Sequence, residues 1–206
     1  DVGSETGTEN MALGTGCAFV DYDSDGDLDL LVANAFSNNL AYVNLGDGTF
    51  LDQAEAFGLA DAARARAVLV GDVDNDGDSD IYVINEGAAN RLYANGGGPN
   101  GWLSVATLGV ISNPDAIGAR ITAWVEGRSF LREVNGTAGM SYSSRVTHFG
   151  LGSARGVDSL VIRWPGGSVE RHGPTPANTA LHLMEGGPAT VVAEDAAVVL
   201  PTTLAL

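Results

Sequence analysis

Two nine-residue runs, Asp21–Asp29 and Asp72–Asp80, hold ten of the chain's 26 acidic residues. In the first, Asp21, Asp23, Asp25, Asp27 and Asp29 alternate with Tyr22, Ser24, Gly26 and Leu28. The second places Asp72, Asp74, Asp76, Asp78 and Asp80 in the same pattern around Gly77. Carboxylates crowded this closely repel one another strongly unless a cation sits among them. An extended strand could not aim five of them at one centre. A turn at the glycine, which takes dihedrals other residues avoid, would curl them inward. Side-chain ligands are expected from Asp21, Asp23, Asp25 and Asp29, with the backbone carbonyl of Asp27. The second loop would use Asp72, Asp74, Asp76, Asp80 and the carbonyl of Asp78. Waters would complete six or seven oxygens, a shell that suits calcium better than magnesium. Two Ca2+ ions are therefore expected. Their role is structural, clamping two strands, because no base or nucleophile stands beside them. An EF-hand would carry a glutamate at the twelfth position, where this chain has Val32 and Val83.

The loops belong to a larger repeat. Shifted by 51 residues, Asp21 meets Asp72, Gly26 meets Gly77, Asn34 meets Asn85, Asn39 meets Asn90, Tyr42 meets Tyr93 and Asn44 meets Asn95. Two units follow, at about 1–51 and 52–101. In each, short apolar runs read as strands. Cys17–Val20 and Ala67–Gly71 enter the loops, Leu28–Ala33 and Ser79–Ile84 leave them, and Leu40–Asn44 and Arg91–Asn95 follow. A period near 50 with several strands per unit fits propeller blades. Two blades do not close a propeller, so they must pack against the rest of the chain, against a neighbouring copy, or within a longer protein.

Phe19–Asn34 and Val68–Asn85 resemble the FG-GAP/VCBS repeat of integrin-like β-propellers. The first unit also carries that repeat's ending, Asn-x-Leu-Tyr-x-Asn-x-Gly-Asp-Gly-Thr-Phe, nearly intact across Asn39–Phe50. The second degrades after Asn95 into Gly96-Gly97-Gly98. The resemblance implies structural calcium held by the aspartates named above.

From Asn100 the repeat stops. Trp102–Leu108, Ala119–Val125, Ser129–Val134, Arg145–Phe149, Ser159–Arg163 and Ala180–Met184 read as strands of a β-sandwich or barrel. Trp102-Leu103, Ala116-Ile117-Gly118-Ala119-Arg120, Arg132-Glu133-Val134, His148-Phe149-Gly150-Leu151-Gly152 and Val161-Ile162-Arg163-Trp164-Pro165-Gly166-Gly167 resemble the ASPIC/UnbV domain, which commonly follows FG-GAP repeats in secreted proteins. The expected architecture is all-β: two calcium-binding blade-like repeats (1–51 and 52–101), a sandwich-like domain at 102–187, and an apolar tail at 188–206.

His148 with Glu133 or Asp158 and Ser141 could be drawn as a triad. A hydrogen-bonded structural histidine is the stronger reading, and no enzymatic activity is expected. Arg120, Arg132 and Arg163 are expected to pair with Glu133, Glu126 or Asp158. Trp102, Trp124 and Trp164 are expected in core or edge packing, with a sugar-stacking platform as the alternative. Asn135-Gly136-Thr137 is a glycosylation sequon.

The formal charge of −16, with ten arginines and no lysine, argues against nucleic acid or an anionic membrane as partner. No apolar stretch is long enough to span a membrane as a helix. Cys17 has no partner cysteine and is expected to be a small buried apolar residue. The chain begins at Asp1 without a signal peptide and reads as processed or trimmed. The tail, ending Ala196-Ala197-Val198-Val199-Leu200-Pro201-Thr202-Thr203-Leu204-Ala205-Leu206, could fold back on its own chain or add a strand to a neighbour. These features point to a calcium-stabilised extracellular or cell-surface module, structural or adhesive. The unclosed blades and the spare strand together allow a homo-oligomer or a head-to-tail filament. The alternative is a piece of a larger secreted propeller protein that binds a glycan or an extracellular protein.

Overall fold

The computed structural model describes residues 2–9, 11–136, 142–143, 145–192 and 203–205, with one helical turn, Gly3–Thr6, and otherwise strands. The chain is all-β. Its first unit is a four-stranded antiparallel sheet of β1 (Gly14–Val20), β2 (Asp29–Asn34), β3 (Leu40–Asn44) and β4 (Phe50–Asp52), in that spatial order. The second contributes β5 (Ala65–Gly71), β6 (Asp80–Asn85) and β7 (Arg91–Tyr93). In both units the acidic run is the loop between the first two strands. The register repeats: Val20 faces Asp29 in one unit, and Gly71 faces Asp80 in the other.

The two sheets pack on each other through small and branched apolar residues, since successive side chains on a strand alternate between faces. Ala18 and Val20 from β1 join Leu31, Ala33, Ala65, Val68, Ile81, Val83 and Tyr93 in one core. The same alternation turns Phe19 outward and corrects the expectation for Cys17, which is exposed. Thr15 bridges the units, its hydroxyl donating 2.8 Å to the Ala65 carbonyl.

Downstream lie β8 (Gly101–Leu108), β9 (Arg120–Val125), β10 (Arg128–Glu133), β11 (Tyr142–Ser143), β12 (Thr147–Gly152), β13 (Gly156–Val157), β14 (Ser159–Arg163), β15 (Val169–His172), β16 (Thr175–Pro176), β17 (Thr179–Met184), β18 (Ala189–Val192) and β19 (Thr203–Ala205). One sheet runs β10-β9-β14-β15, the other β12-β8-β17-β18. Leu103, Val105, Ile121, Phe149, Leu160, Ile162, Trp164, Leu181 and Leu183 fill one core between them. Trp102 and Trp164 are buried, while Trp124 is 42% exposed at the surface. Residues 189–192, grouped with the tail in the sequence, form instead the edge strand of this domain, antiparallel to β17.

The rest of the tail, where described, completes the second blade. β19 pairs antiparallel with β7, placing Thr203 opposite Tyr93. In the first blade Asp52 of β4 faces Tyr42, the repeat equivalent of Tyr93. The second unit loses its own fourth strand after Asn95, and β19 takes that place in the same chain. On the opposite edge, β11 pairs parallel with β5.

One buried carboxylate fastens the second domain internally. Glu185, just after β17, is 5% exposed. Its Oε2 accepts the backbone N–H groups of Val110, Ile111 and Ser112 at 3.0, 2.9 and 2.7 Å. Its Oε1 accepts the hydroxyls of Ser112 and Ser168 at 3.0 and 3.1 Å. The Ser112 N–H leads these donors in holding the Glu185 carboxyl down at about 2. A carboxylate with a lowered folded pKa stabilises the fold above its ordinary pKa and loses that contribution as pH falls toward the folded value. Glu185→Gln is therefore expected to lower the melting temperature at neutral pH, and the difference from wild type should shrink as pH drops from about 4.5 toward 2. Thermal melts across that range check this; a pH-independent difference would contradict it.

Candidate metal centres and their seat

Each acidic loop turns where the sequence places its glycine, with φ of +102° at Gly26 and +93° at Gly77. Ser24 and Asn75, equivalent in the repeat, also take left-handed dihedrals. The turns gather carboxylate oxygens of Asp21, Asp23 and Asp25 within 4.8 Å of one another, and likewise those of Asp72, Asp74 and Asp80. Asp29 lies close enough to Asp21 and Asp23 to feel their charge, as Asp76 does to Asp74. The side chains of Asp27 and Asp78, expected to contribute only carbonyls, turn elsewhere. Asp27 pairs with Arg128 at 3.2 Å, and Asp78 accepts the Ser24 hydroxyl at 3.2 Å.

The backbone bonds that hold the first and last aspartates recur in both loops. The last aspartate of each run accepts two backbone N–H groups: Tyr22 and Asn44 on Asp29, both at 2.9 Å, and Val73 and Asn95 on Asp80, at 2.7 and 2.8 Å. The first aspartate accepts the glycine N–H, Gly26 to Asp21 at 3.2 Å and Gly77 to Asp72 at 3.0 Å. Asn39 and Asn90 likewise cap the backbone of Asn34 and Asn85.

These carboxylates are held in an environment that opposes their charge. Burial, more than the neighbouring aspartates, pushes Asp29 up to about 7 and Asp21, Asp78 and Asp80 up to about 6. Asp23, Asp72 and Asp76 shift in the same direction for the same first cause. A divalent cation would offset that cost. The donor set is entirely oxygen, which fits a hard ion such as calcium or magnesium and not a thiophilic metal.

The loops have a second partner that the sequence did not disclose: they are the seat of the C-terminal domain. Phe130 covers Gly26, where an added Cβ would lie 2.6 Å from the ring, and Trp102 covers Gly77 more closely still. Gly150 leaves room for the backbone of Ser24, whose carbonyl accepts the Gly152 N–H at 2.9 Å. The Gly150 N–H donates 2.8 Å to Asp21 Oδ2, and Asn100 Nδ2 donates 2.9 Å to the Asp23 carbonyl. Arg132 Nη2 donates to Asp21 Oδ2 at 3.2 Å and to the Gly26 carbonyl at 2.8 Å. His148 Nε2 lies 2.8 Å from the Gly77 carbonyl. A cavity of about 500 Å3 remains at this junction, its walls including Asp21, Asp72, Ser104, Arg132, His148 and His182.

The other expectations resolve residue by residue. Arg120 pairs with Glu133 at 2.8 Å, as the sequence suggested, whereas Arg132 leaves its expected partners for Asp21. The candidate triad is not assembled among the described residues: Glu133 is held by Arg120, Asp158 accepts the Glu126 N–H at 2.9 Å, and His148 rests on Gly77. Ser141 lies outside the described residues. The recurrence of Asn44 and Asn95 in register was the signal for their clamping role. Nothing in the sequence linked Arg132 or His148 to loops so far upstream.

Residues 21–83 match the FG-GAP-like repeat family, and residues 109–190 match the family described as ASPIC and UnbV. The chain thus joins a region similar to FG-GAP-like repeats to one similar to the ASPIC and UnbV family. It is similar to cartilage acidic protein 1 of Homo sapiens (33% identical over 94 residues) and of Mus musculus (32% over 94 residues). The matched part is 45% of this chain but only 14% and 15% of those proteins, so the chain spans a small fraction of their length.

The packing of aromatics on the loop glycines gives a direct check. Gly77→Ala places a methyl against Trp102 and forces a side chain onto a left-handed residue, an expected loss of about 2–4 kcal/mol. Gly98→Ala, with no atom near its added Cβ and no left-handed φ, should stay within about 0.5 kcal/mol of wild type. Urea denaturation of the two variants measures this; equal stabilities would contradict the seat.

Proposed function

We propose that the chain is a calcium-stabilised extracellular binding or structural module, without enzymatic activity of its own. In this reading, one ion in each loop fixes the blade and the surface on which the C-terminal domain sits. The observation that carries it is the pair of duplicated, partly buried aspartate clusters lying under that domain. Similarity to FG-GAP-like repeats and to cartilage acidic protein 1 supports the extracellular setting. Among the described residues no helix is long and apolar enough to cross a membrane. Adhesion fits a rigid, strongly acidic surface better than a reaction centre does. The pairing of β19 with β7 in its own chain favours a self-completed unit over a head-to-tail filament, which would need that strand donated to a neighbour.

Calcium bound only by the folded state adds about 2.7 kcal/mol per site at a hundredfold excess over its Kd. Two sites should raise the melting temperature by roughly 10–20 °C relative to EDTA. Scanning calorimetry with and without Ca2+ reads this, and identical melts with no heat of binding would remove the proposal.

A second reading, capture of a neutral sugar unit or other hydroxylated small molecule, is favoured by the cavity at the junction. Its walls mix Ser104, Thr147 and two histidines with Val70, Leu131 and Leu181, and pockets of this size accommodate small ligands. Glycan-array binding abolished by Ser104→Trp is the expected sign; absence of binding to any glycan would count against it.

A further inference from the structure

We infer that the two loops bind their ions with unequal affinity, the second loop more tightly, and that Arg132 sets the difference. This rests on the calcium reading above and goes beyond it. The two loops share their five aspartates, their glycine turn and the backbone bonds that hold the first and last aspartates, so the difference in charge around them comes from what the C-terminal domain brings to each. The C-terminal domain contacts both in matched fashion. Each loop glycine is covered by an aromatic ring, Phe130 or Trp102, and each glycine carbonyl meets one nitrogen-bearing side chain at 2.8 Å, Arg132 or His148.

The matched positions differ in charge. The guanidinium of Arg132 always carries its proton. It reaches past the Gly26 carbonyl to Asp21, and this ion pair is well removed from water, with side-chain exposures of 12% and 1%. At that depth Coulomb interactions are weakly screened. The Gly150 N–H adds a second donor to the same Asp21 oxygen. Arg128 adds another cation on Asp27, although this pair is more exposed and so contributes less. The first loop therefore meets an incoming ion with part of its charge already balanced and one of its expected ligands already engaged.

The second loop has no such cation. Among the described residues no arginine pairs with Asp72, Asp74, Asp76, Asp78 or Asp80. Its matched contact is His148, whose Nε2 must carry the proton to donate to the Gly77 carbonyl. Its buried Nδ1 has no partner, so a second proton there would be left without an acceptor. Burial likewise holds the ring down at about 4, which keeps it neutral at physiological pH. The carboxylate of Asp72 accepts the Gly77 N–H, and no hydrogen bond to it from the C-terminal domain is seen among the described residues. More uncompensated carboxylate charge means tighter calcium binding.

Isothermal titration of the full chain with Ca2+ tests this. Wild type is expected to bind in two steps separated by roughly tenfold or more. Asp74→Asn should remove the tight step and Asp23→Asn the weak one. Arg132→Gln should tighten the weak step and draw the two together, while Arg132→Lys, which keeps the charge, should preserve the gap. Two steps of equal affinity in wild type, or loss of the tight step in Asp23→Asn, would overturn the inference while leaving the calcium reading intact. No calcium binding at all would overturn both. If Arg132→Gln does not fold, the two aspartate variants still decide which loop is the tight one.

Discussion

Asp21 and Asp80 are almost fully withdrawn from water, at 2% and 1% exposure, and each has other aspartates as near neighbours. Removing like charges from solvent is among the costliest arrangements a fold can hold. The surrounding structure is organised to offset that cost. Backbone N–H groups from β3, from Asn95 just past β7, and from the loops converge on Asp29 and Asp80; the loop glycines donate to Asp21 and Asp72; Arg132 and Gly150 reach in from a different domain. In our reading a divalent ion in each loop supplies what remains. The strands, the turns and the domain junction all meet at these two clusters.

That convergence answers how two blades stand without a closed ring. Their shared core on one side is made of small and branched residues such as Ala18, Ala33, Val68 and Val83. At the loop end, the C-terminal sandwich takes over as the packing partner, with Phe130 and Trp102 seated on glycines that admit no larger residue. The second blade, lacking a fourth strand of its own, receives β19 in the position that β4 holds in the first. The domains are linked chemically as well as spatially, since groups that would hold ions are also groups that hold the sandwich.

Much of this was legible in the sequence because the repeat carries its own internal control. A residue such as Asn44 means little alone, but its return as Asn95 beside a second acidic run marks it as part of the device. The strands of apolar alternation, Leu40–Asn44 and Ser159–Arg163 among them, appear with the expected bounds. Short polar strands such as Val169–His172 and Thr175–Pro176 were missed because edge pairing relies on backbone bonds and leaves little side-chain pattern. Cys17 was misplaced for a different reason: its strand is clear, but the inward face depends on which alternate residues find a core. Arg132 was given a local partner because sequence offers nearby acids, whereas burial delivered it to Asp21, 111 positions away. Long-range charge pairing of that kind is decided by packing, and packing between domains leaves no periodic trace.

In our reading, occupancy of the loops governs how firmly the C-terminal domain is seated. Hydrogen exchange, followed amide by amide with and without calcium, tests it most directly. Added calcium should slow exchange in the loops and also at Gly150 and Gly152, whose N–H groups bond to Asp21 and Ser24 across the junction. Protection confined to residues 21–29 and 72–80, with those two amides unchanged, would contradict the account.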